Sequence, residues 1–569
     1  MYKYTFISKD STLVLTTAPI NWNNLQYTLT RDEHYHGVFV GFTAQLQFIR
    51  EGKDFIDAVY EKYGFNSQID VNIDVWNPKL VSYVPFVQGT MNFNNISQKD
   101  VDGSYVTEID IIAGLFEQKF MNRDSVPIDY QQLVTIDGSA IIPNAVEVES
   151  IILNGILPPS SCYAVYPFEL FERLITSICN QSQSFESSIF GKTINGYSED
   201  GQYAYMMIFV GIWARNYLTT EATVSIDFKN LFDSLNAIFN LGLSIETIDN
   251  KKVVLIEKKS FFYQQDIILT IGGPDDTANL KLKDLEFTFD PTLIFNEINA
   301  GYTKAANNDN LVGSSEYNNE SDYTMPIVPI ANKLSILSKI RADGTGIEKL
   351  RSAARPLNTI DTKQDQLDKE LFIVSCINNN GTITSRQQEG YTKIEGIYGN
   401  SPLIYCNLDI TPARNVLNWS EIINITLQKN KNQNLIIQKS TQVSHPVTRM
   451  NGESIDTADG VDIPNSMLNA SYLSGILAKF NAPLGLDQIT AINQNKHGRI
   501  KFWDYIFNKY RSGWIKELST EPVDKTTNYA LMVASDSLSL EDFYYLLAED
   551  GSALLAEDGS LILQENVNQ

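Results

Sequence analysis

The sequence predicts an α+β fold that is mainly β: several small β-sandwich or β-barrel domains with packed helices, ending in a C-terminal β-meander. Three observations lead there. Stretches in which apolar and polar residues alternate with period two recur along the chain, and only a few stretches carry apolar residues at helical spacing. In addition, 569 residues exceed what one hydrophobic core supports. The expected division is 1–149, β-rich with one helix; 150–283, an α+β module; 284–445, β-rich with long loops; 446–540, mixed; and 541–569, a C-terminal docking element.

The elements follow from local chemistry. Residues 38–49 read as a strand, and 51–63 place Phe55, Ile56, Val59, Tyr60 and Tyr63 on one helical face, closed by Gly64. The period then becomes two: Ile69, Val71, Ile73 and Val75 alternate with polar residues, and strands are expected at 82–93 and 104–112. Pro167 suits a first helical position, with Phe168, Phe171, Leu174, Ile175 and Ile178 as the apolar face. Asp227 is placed to cap a second helix that buries Phe228, Leu231, Phe232, Leu235, Ile238 and Phe239 and stops at Gly242. A hairpin turned by Asp249 and Asn250 follows, and Gly272-Gly273-Pro274 ends the next strands. Surface loops are expected at 307–323 and 359–366 and strands at 285–289, 296–302, 371–376 and 391–397. Strands are also expected to recur over 414–439, and a helix at 466–480.

The one internal repeat lies at the end. Leu546-Leu547-Ala548-Glu549-Asp550-Gly551-Ser552 recurs as Leu554-Leu555-Ala556-Glu557-Asp558-Gly559-Ser560, and Leu561-Ile562-Leu563 follows. Asp-Gly accommodates the positive φ of a tight turn, so each copy offers a short strand and a reversal. Three strands of about six residues bury too little to persist alone. Leu546, Leu547, Leu554, Leu555, Ile562 and Leu563 therefore need a partner surface and are the candidate docking residues.

Charge and motifs narrow the function. Acidic residues outnumber basic ones by 68 to 44, for a formal charge of −24, which repels nucleic acid. The best basic stretch, 496–516, interleaves Arg499, Lys501, Lys509 and Arg511 with Trp503, Tyr505 and Phe507, and reads as an amphipathic segment with solvated cations. Cys162, Cys179, Cys376 and Cys406 are scattered and expected as buried free thiols. No secretory signal and no membrane span of ~20 apolar residues is read from the chain, so synthesis in a host cytoplasm without secretion is expected. No HExxH, GxSxG, Walker-type phosphate loop or GxGxxG is present, so neither catalytic residues nor a cofactor is expected. His34 and His36 would share one strand face beside two carboxylates, yet no third ligand suggests itself, and a solvated or hydrogen-bonded loop is the preferred reading. Asp456, Asp459 and Asp462 around Gly460 depart from the EF-hand spacing, and no metal site is assigned.

Several segments resemble tail proteins of phages and prophages of Bacteroides-like bacteria: Pro19-Ile20-Asn21-Trp22, 27–32 with His36-Gly37-Val38 and Phe48, 296–302, 341–348 and 365–372. The repeated Leu-Leu-x-Glu-Asp-Gly tail is similar to the C-termini of many virion proteins. The resemblance implies a structural, non-enzymatic tail protein of hub or baseplate type, located in the virion tail. Its partners would be copies of itself, in a cyclic homo-oligomer of three-fold or six-fold symmetry, and other tail proteins. An acidic channel would let DNA pass without adhering, with no sequence-specific nucleic-acid binding. Two alternatives stay open: a receptor- or glycan-binding tail protein, for which 28 Tyr and 28 Phe offer stacking faces, and a tail-associated hydrolase.

Overall fold

The computed structural model describes residues 2–537 except 23–25, 65–66, 78–80, 102–103, 114, 132–133, 137–138, 142–147, 154–157, 194–196, 250, 275–281, 304–319, 326–331, 357–364, 387–407, 428–433, 438–446, 449–456, 459–460 and 521–525. The chain is mainly β and forms two compact units, each assembled from separated stretches. The first comprises Met1–Met121, Ser260–Asp290 and Tyr472–Gln569, the second Asn122–Lys259 and Pro291–Ser471.

The first unit is organised by one 13-stranded sheet. Its N-terminal part is a run of antiparallel neighbours, Gln26–Arg31, Val38–Phe48, Ser104–Ala113, Ser82–Val101, Asp70–Asn77, Tyr2–Ile7 and Thr12–Val14. Its C-terminal part runs Lys509–Thr520, Thr526–Ala534, Leu473–Pro483 and Lys283–Phe289, with Arg499–Asp504 and Ile267–Ile271 branching from Lys509–Thr520. The two parts meet where Gln26–Arg31 pairs with Lys509–Thr520, in the register Tyr27 to Thr520 through Thr30 to Glu517. One core serves both: Phe6, Phe48, Ile109 and Ile111 belong to the same buried cluster as Phe480, Phe502, Tyr529 and Leu531. Phe480 stacks on Tyr529 with centroids 4.9 Å apart, an aromatic contact that adds about 1 kcal/mol to the burial itself.

The second unit contains a closed five-stranded barrel, made from Val148–Ile152, Ser161–Val165, Met206–Val210, Leu371–Asn379 and Thr382–Ser385. Beside it lie a three-stranded sheet and a five-stranded sheet, the latter including Glu297–Tyr302 and Lys333–Ser338. Helices Pro167–Cys179 and Phe228–Phe239 bury most of their residues against these sheets.

Most local expectations hold. Helix Arg50–Tyr63 ends at Gly64 with φ 63°, and Pro167 opens its helix. Asp227 accepts from the Asn230 amide as a cap. That helix, however, is terminated by Asn240 in the left-handed conformation, and Gly242 already lies in the strand Leu241–Ile248; asparagine adopts positive φ more readily than most residues other than glycine. Two further expectations are corrected. Over 414–439 the chain forms helices Pro412–Asn418 and Ser420–Leu427 before the strand Asn434–Ile437. Thr411 caps the first and Pro412 presets its φ, and these local signals outweigh the β-branched residues that follow. The stretch 466–480 is not a helix: Leu473–Pro483 is a strand whose burial largely alternates, with Ala478, Phe480 and Ala482 in the core. The strand expected at 391–397 lies outside the described residues, as does Asn250 of the hairpin turn.

Candidate assembly surface

The seam of the first unit is held by Arg31, which ends the strand Gln26–Arg31. Its guanidinium is buried and donates to three backbone carbonyls, those of Ile515 (2.9 Å), His36 (2.6 Å) and Phe262 (2.8 Å), each from a different stretch of chain. The Tyr263 ring covers it at 4.4 Å, and Tyr263 in turn packs on Tyr472 (4.7 Å) and Trp514 (5.4 Å). Burial pulls the Arg31 pKa down and pushes that of Tyr263 up.

His34 and His36 lie on a turn beside this seam. Asp32 Oδ1 accepts from the His34 and Tyr35 amides, His36 has φ 61°, and its Nδ1 lies 2.7 Å from the Tyr263 hydroxyl. The His34 ring packs edge-on against Tyr35. The two imidazoles therefore do not share a strand face; the turn is a hydrogen-bonded loop. A cavity of about 450 Å³ opens here, lined by Thr30, Arg31, Asp32, Glu33, His34, Lys516 and Glu517, and Lys516 pairs with Asp290 at 2.7 Å. Among the described residues no group of three or more His, Cys, Asp or Glu is placed to hold a metal ion. Asp456 and Asp459 lie outside the described residues, and Asp462 is exposed.

The basic stretch 496–516 is a β-hairpin, Arg499–Asp504 with Lys509–Thr520, and the expectation of solvated cations is corrected. Arg511 and Asp504 form an ion pair (2.5 Å) buried on both sides. Arg499 is buried over the Trp514 ring (4.4 Å) and pairs with Asp536 (2.8 Å). Alternation turns Arg511 inward beside Asp504, whereas Arg499 shares its strand face with Lys501 and Trp503 and is buried there against Trp514; carboxylate partners and aromatic faces compensate the desolvation of both. The outward residues are different: Lys501 sits 4.3 Å over the Tyr510 ring, Trp503 packs edge-on against Tyr510 (4.8 Å), and Tyr505 is 52% exposed at the turn. Two further exposed aromatics lie in separate pairs in the N-terminal part, Trp22 (38% exposed) on Tyr2 and Trp76 (37%) on Tyr83. Asn21 fixes the loop before Trp22 by accepting from the Gln47 amide at 2.7 Å.

In the second unit, a cavity of about 510 Å³ is lined by residues that include Asp200, Tyr205, Cys376, Asn378 and Arg386. The polar groups there engage one another: Tyr205 Oη donates to Asp200 (2.8 Å) and accepts from Asn378 (3.0 Å). Nearby Asp409 is buried, accepts from Ser375, and has its pKa raised by desolvation. Cys162, Cys179 and Cys376 are buried free thiols, as expected, and burial pushes Cys162 and Cys376 well up; Cys406 is outside the described residues. Lys259 is buried with its ammonium 3.8 Å over the Trp419 ring, and burial lowers its pKa to about 7.

Sequence reasoning missed Arg31 and Lys259, because nothing local distinguishes them from surface cations. It also missed the buried pairs Arg215 with Asp368 (2.6 Å) and Arg341 with Asp343 (2.9 Å). A usable signal did exist: Arg31, Arg341, Asp343 and Asp368 all fall within segments that resemble tail proteins. The docking residues Leu546, Leu547, Leu554, Leu555, Ile562 and Leu563 lie outside the described residues.

No sequence-family profile matches the chain, and neither does any curated protein. Solved structures to which it is similar include a prophage tail protein, gp18, from Listeria monocytogenes EGD-e (8% identity, 95% of this chain and 96% of that one, TM-score 0.31). Two others are the 43 kDa tail protein of prophage MuSo2 from Shewanella oneidensis (9%, 95% and 100%, TM-score 0.36) and a tail protein from Neisseria meningitidis MC58 (6%, 95% and 98%, TM-score 0.37).

Proposed function

We propose that the chain is a structural, non-enzymatic component of a phage tail, of hub, baseplate or tail-tip type. It assembles as a cyclic ring or trimer around the tail axis and docks other tail proteins. The observation that carries this reading is where the tail-like segments go: they build buried frameworks. Arg31 staples three backbone stretches, Asn299 donates to Glu320 (2.7 Å) and Asp322 (2.6 Å), Asp343 caps a helix at Gly346, and Asp368 holds Arg215. Side chains engaged in holding a scaffold together suit a protein whose work is assembly. The formal charge of −24 fits a lining that DNA passes without adhering.

Electron microscopy of the purified protein and of tail particles tests the proposal. A closed ring or trimer incorporated into tails is expected. A monodisperse monomer at every concentration, absent from tails, overturns it. Two exposed tryptophans, Trp22 packed on Tyr2 and Trp76 packed on Tyr83, favour one second reading, a glycan-binding tail protein, because aromatic faces stack on sugars; glycan-array binding lost in Trp22→Ala or Trp76→Ala would select it.

A further inference from the structure

We propose that the cavity at one end of the five-stranded barrel is a binding site for an acidic saccharide, with Arg386 taking the carboxylate. Its walls are set by local chemistry. On one side the strands Leu371–Asn379 and Thr382–Ser385 are joined through Asn380 (φ 52°) and Gly381 (φ 91°), the Asn-Gly pair of a tight two-residue turn, and the Gly381 amide donates to Asn378 Oδ1 at 2.8 Å. On the other side Gly201 pins the segment 200–202: its amide donates to the Gly191 carbonyl at 2.7 Å, and a Cβ there would lie 2.3 Å from the Ser188 carbonyl oxygen. The Tyr205 hydroxyl joins the two sides, donating to Asp200 (2.8 Å) and accepting from Asn378 (3.0 Å). A rim so cross-linked loses little freedom when a ligand enters.

What this rim leaves uncommitted selects the ligand. Arg386 lines the cavity and is 34% exposed. Its backbone is fixed by the amide, which donates to the Ser375 carbonyl at 2.7 Å. Its buried Nε faces Asp409 Oδ2 at 3.9 Å, too far for a hydrogen bond, and its terminal nitrogens make none among the described residues. A guanidinium oriented by a carboxylate behind it and open in front presents the planar fork that pairs with a carboxylate through two parallel bonds. The side chains of Gln202 and Asn380, exposed on the same cavity, also make no hydrogen bond among the described residues. An amide both donates and accepts, as a hydroxyl does, so this pair suits the hydroxyl groups of a sugar. Met206 and Cys376 are buried beneath and offer an apolar floor.

Asp200 decides between anions. Its carboxylate accepts from the Thr193 amide (3.0 Å), the Thr193 hydroxyl (3.2 Å) and Tyr205, and these bonds hold its pKa below the usual carboxylate range. It is therefore ionised at neutral pH on the same cavity as Arg386. Repulsion grows with the product of the charges, so a singly charged carboxylate is tolerated there better than a doubly charged phosphate. The volume of about 510 Å³ falls among small-ligand sites, roughly 300–1,000 Å³.

Saturation-transfer NMR on the full chain, with glucuronate as the observed probe, tests this without any tail particle, so its failure leaves the tail reading to stand or fall by imaging. Glucose, N-acetylglutamate and inorganic phosphate are added as competitors. Glucuronate is expected to bind with a Kd on the order of 1 mM, and each competitor about tenfold more weakly. Arg386→Met should weaken glucuronate about tenfold. The double variant Gln202→Ala with Asn380→Gly, which keeps a residue at ease with positive φ in the turn, should weaken it about threefold. Unfolding midpoints report retained folding, and if Arg386→Met does not fold, the double variant decides, because both of its positions are exposed. No transfer to glucuronate at about ten times that Kd overturns the proposal, as does unchanged affinity in a folded variant. Glucose competing as well as glucuronate overturns the role of the carboxylate, and N-acetylglutamate or phosphate doing so overturns the assignment to a saccharide.

Discussion

Arg215 and Asp368 form an ion pair at 2.6 Å in which both side chains are almost wholly buried. Arg215 Nε also donates to the Ala353 carbonyl (3.0 Å), and Asp368 Oδ2 accepts from the Asp365 amide (2.9 Å). Removing one partner of such a pair leaves an uncompensated buried charge, which costs about 3–5 kcal/mol. Asp368→Ala is therefore expected to lower the denaturant midpoint of the second unit strongly. The double variant with Arg215→Met should recover part of that loss. A midpoint for Asp368→Ala within error of the wild type would show that the charge is not buried in solution.

Lys259 should make stability depend on pH in a definite direction. Its ammonium rests on Trp419, whose Nε1 donates to the Asn236 and Ala237 carbonyls at the C-terminal end of helix Phe228–Phe239. That ring face and helix end partly offset the desolvation. Burial lowers the pKa to about 7, below the 10.5 of a free lysine, so the unfolded state binds more protons between those values. Stability from this group is full above pH 10.5 and is lost as pH falls to 7, by on the order of 5 kcal/mol at most. The difference in unfolding free energy, wild type minus Lys259→Met, should rise from pH 7 to pH 10. A flat difference would count against a buried lysine.

His36 is expected to matter for the seam and not for metal. His34→Ala with His36→Ala removes the Tyr263 contact (2.7 Å) and should lower stability by about 1 kcal/mol, with no change in bound zinc by elemental analysis. Stoichiometric zinc retained by the wild type and lost in the double variant would reverse this assignment.

Thiol chemistry offers a separate check. Burial pushes the Cys162 and Cys376 thiols well up, so few thiolates form at pH 8. Site-resolved mass spectrometry after alkylation of the folded protein should find both unmodified, and both fully modified in denaturant. Rapid labelling of Cys376 in the folded state would mean that the neighbouring cavity reaches its sulfur.

Gly211 tests the close packing around the Arg215 pair. A Cβ there would lie 2.1 Å from the Leu367 carbonyl oxygen, so Gly211→Ala forces the backbone of 367–368 to move. Destabilisation of more than about 2 kcal/mol is expected in the second unit. A neutral effect in denaturant titration would show that the segment yields freely.

What the sequence by itself determined were features with short-range causes. The mainly β character followed from period-two alternation, and helix ends were legible at Asp227, Pro167 and Gly64 because caps act through residues three or four positions away. What only the tertiary structure decided were features whose partners come from afar. Leu473–Pro483 was misread as a helix because a short apolar run fits either period until the neighbouring strands Thr526–Ala534 and Lys283–Phe289 supply its hydrogen bonds. The arginines of 496–516 looked solvated because the Asp536 that neutralises Arg499 and the sheet that buries Arg511 are not visible in their local spacing. The joining of Thr30 to Glu517 across almost the whole chain lies furthest from local rules, since a strand's sequence specifies which face is apolar but not which distant edge it will meet.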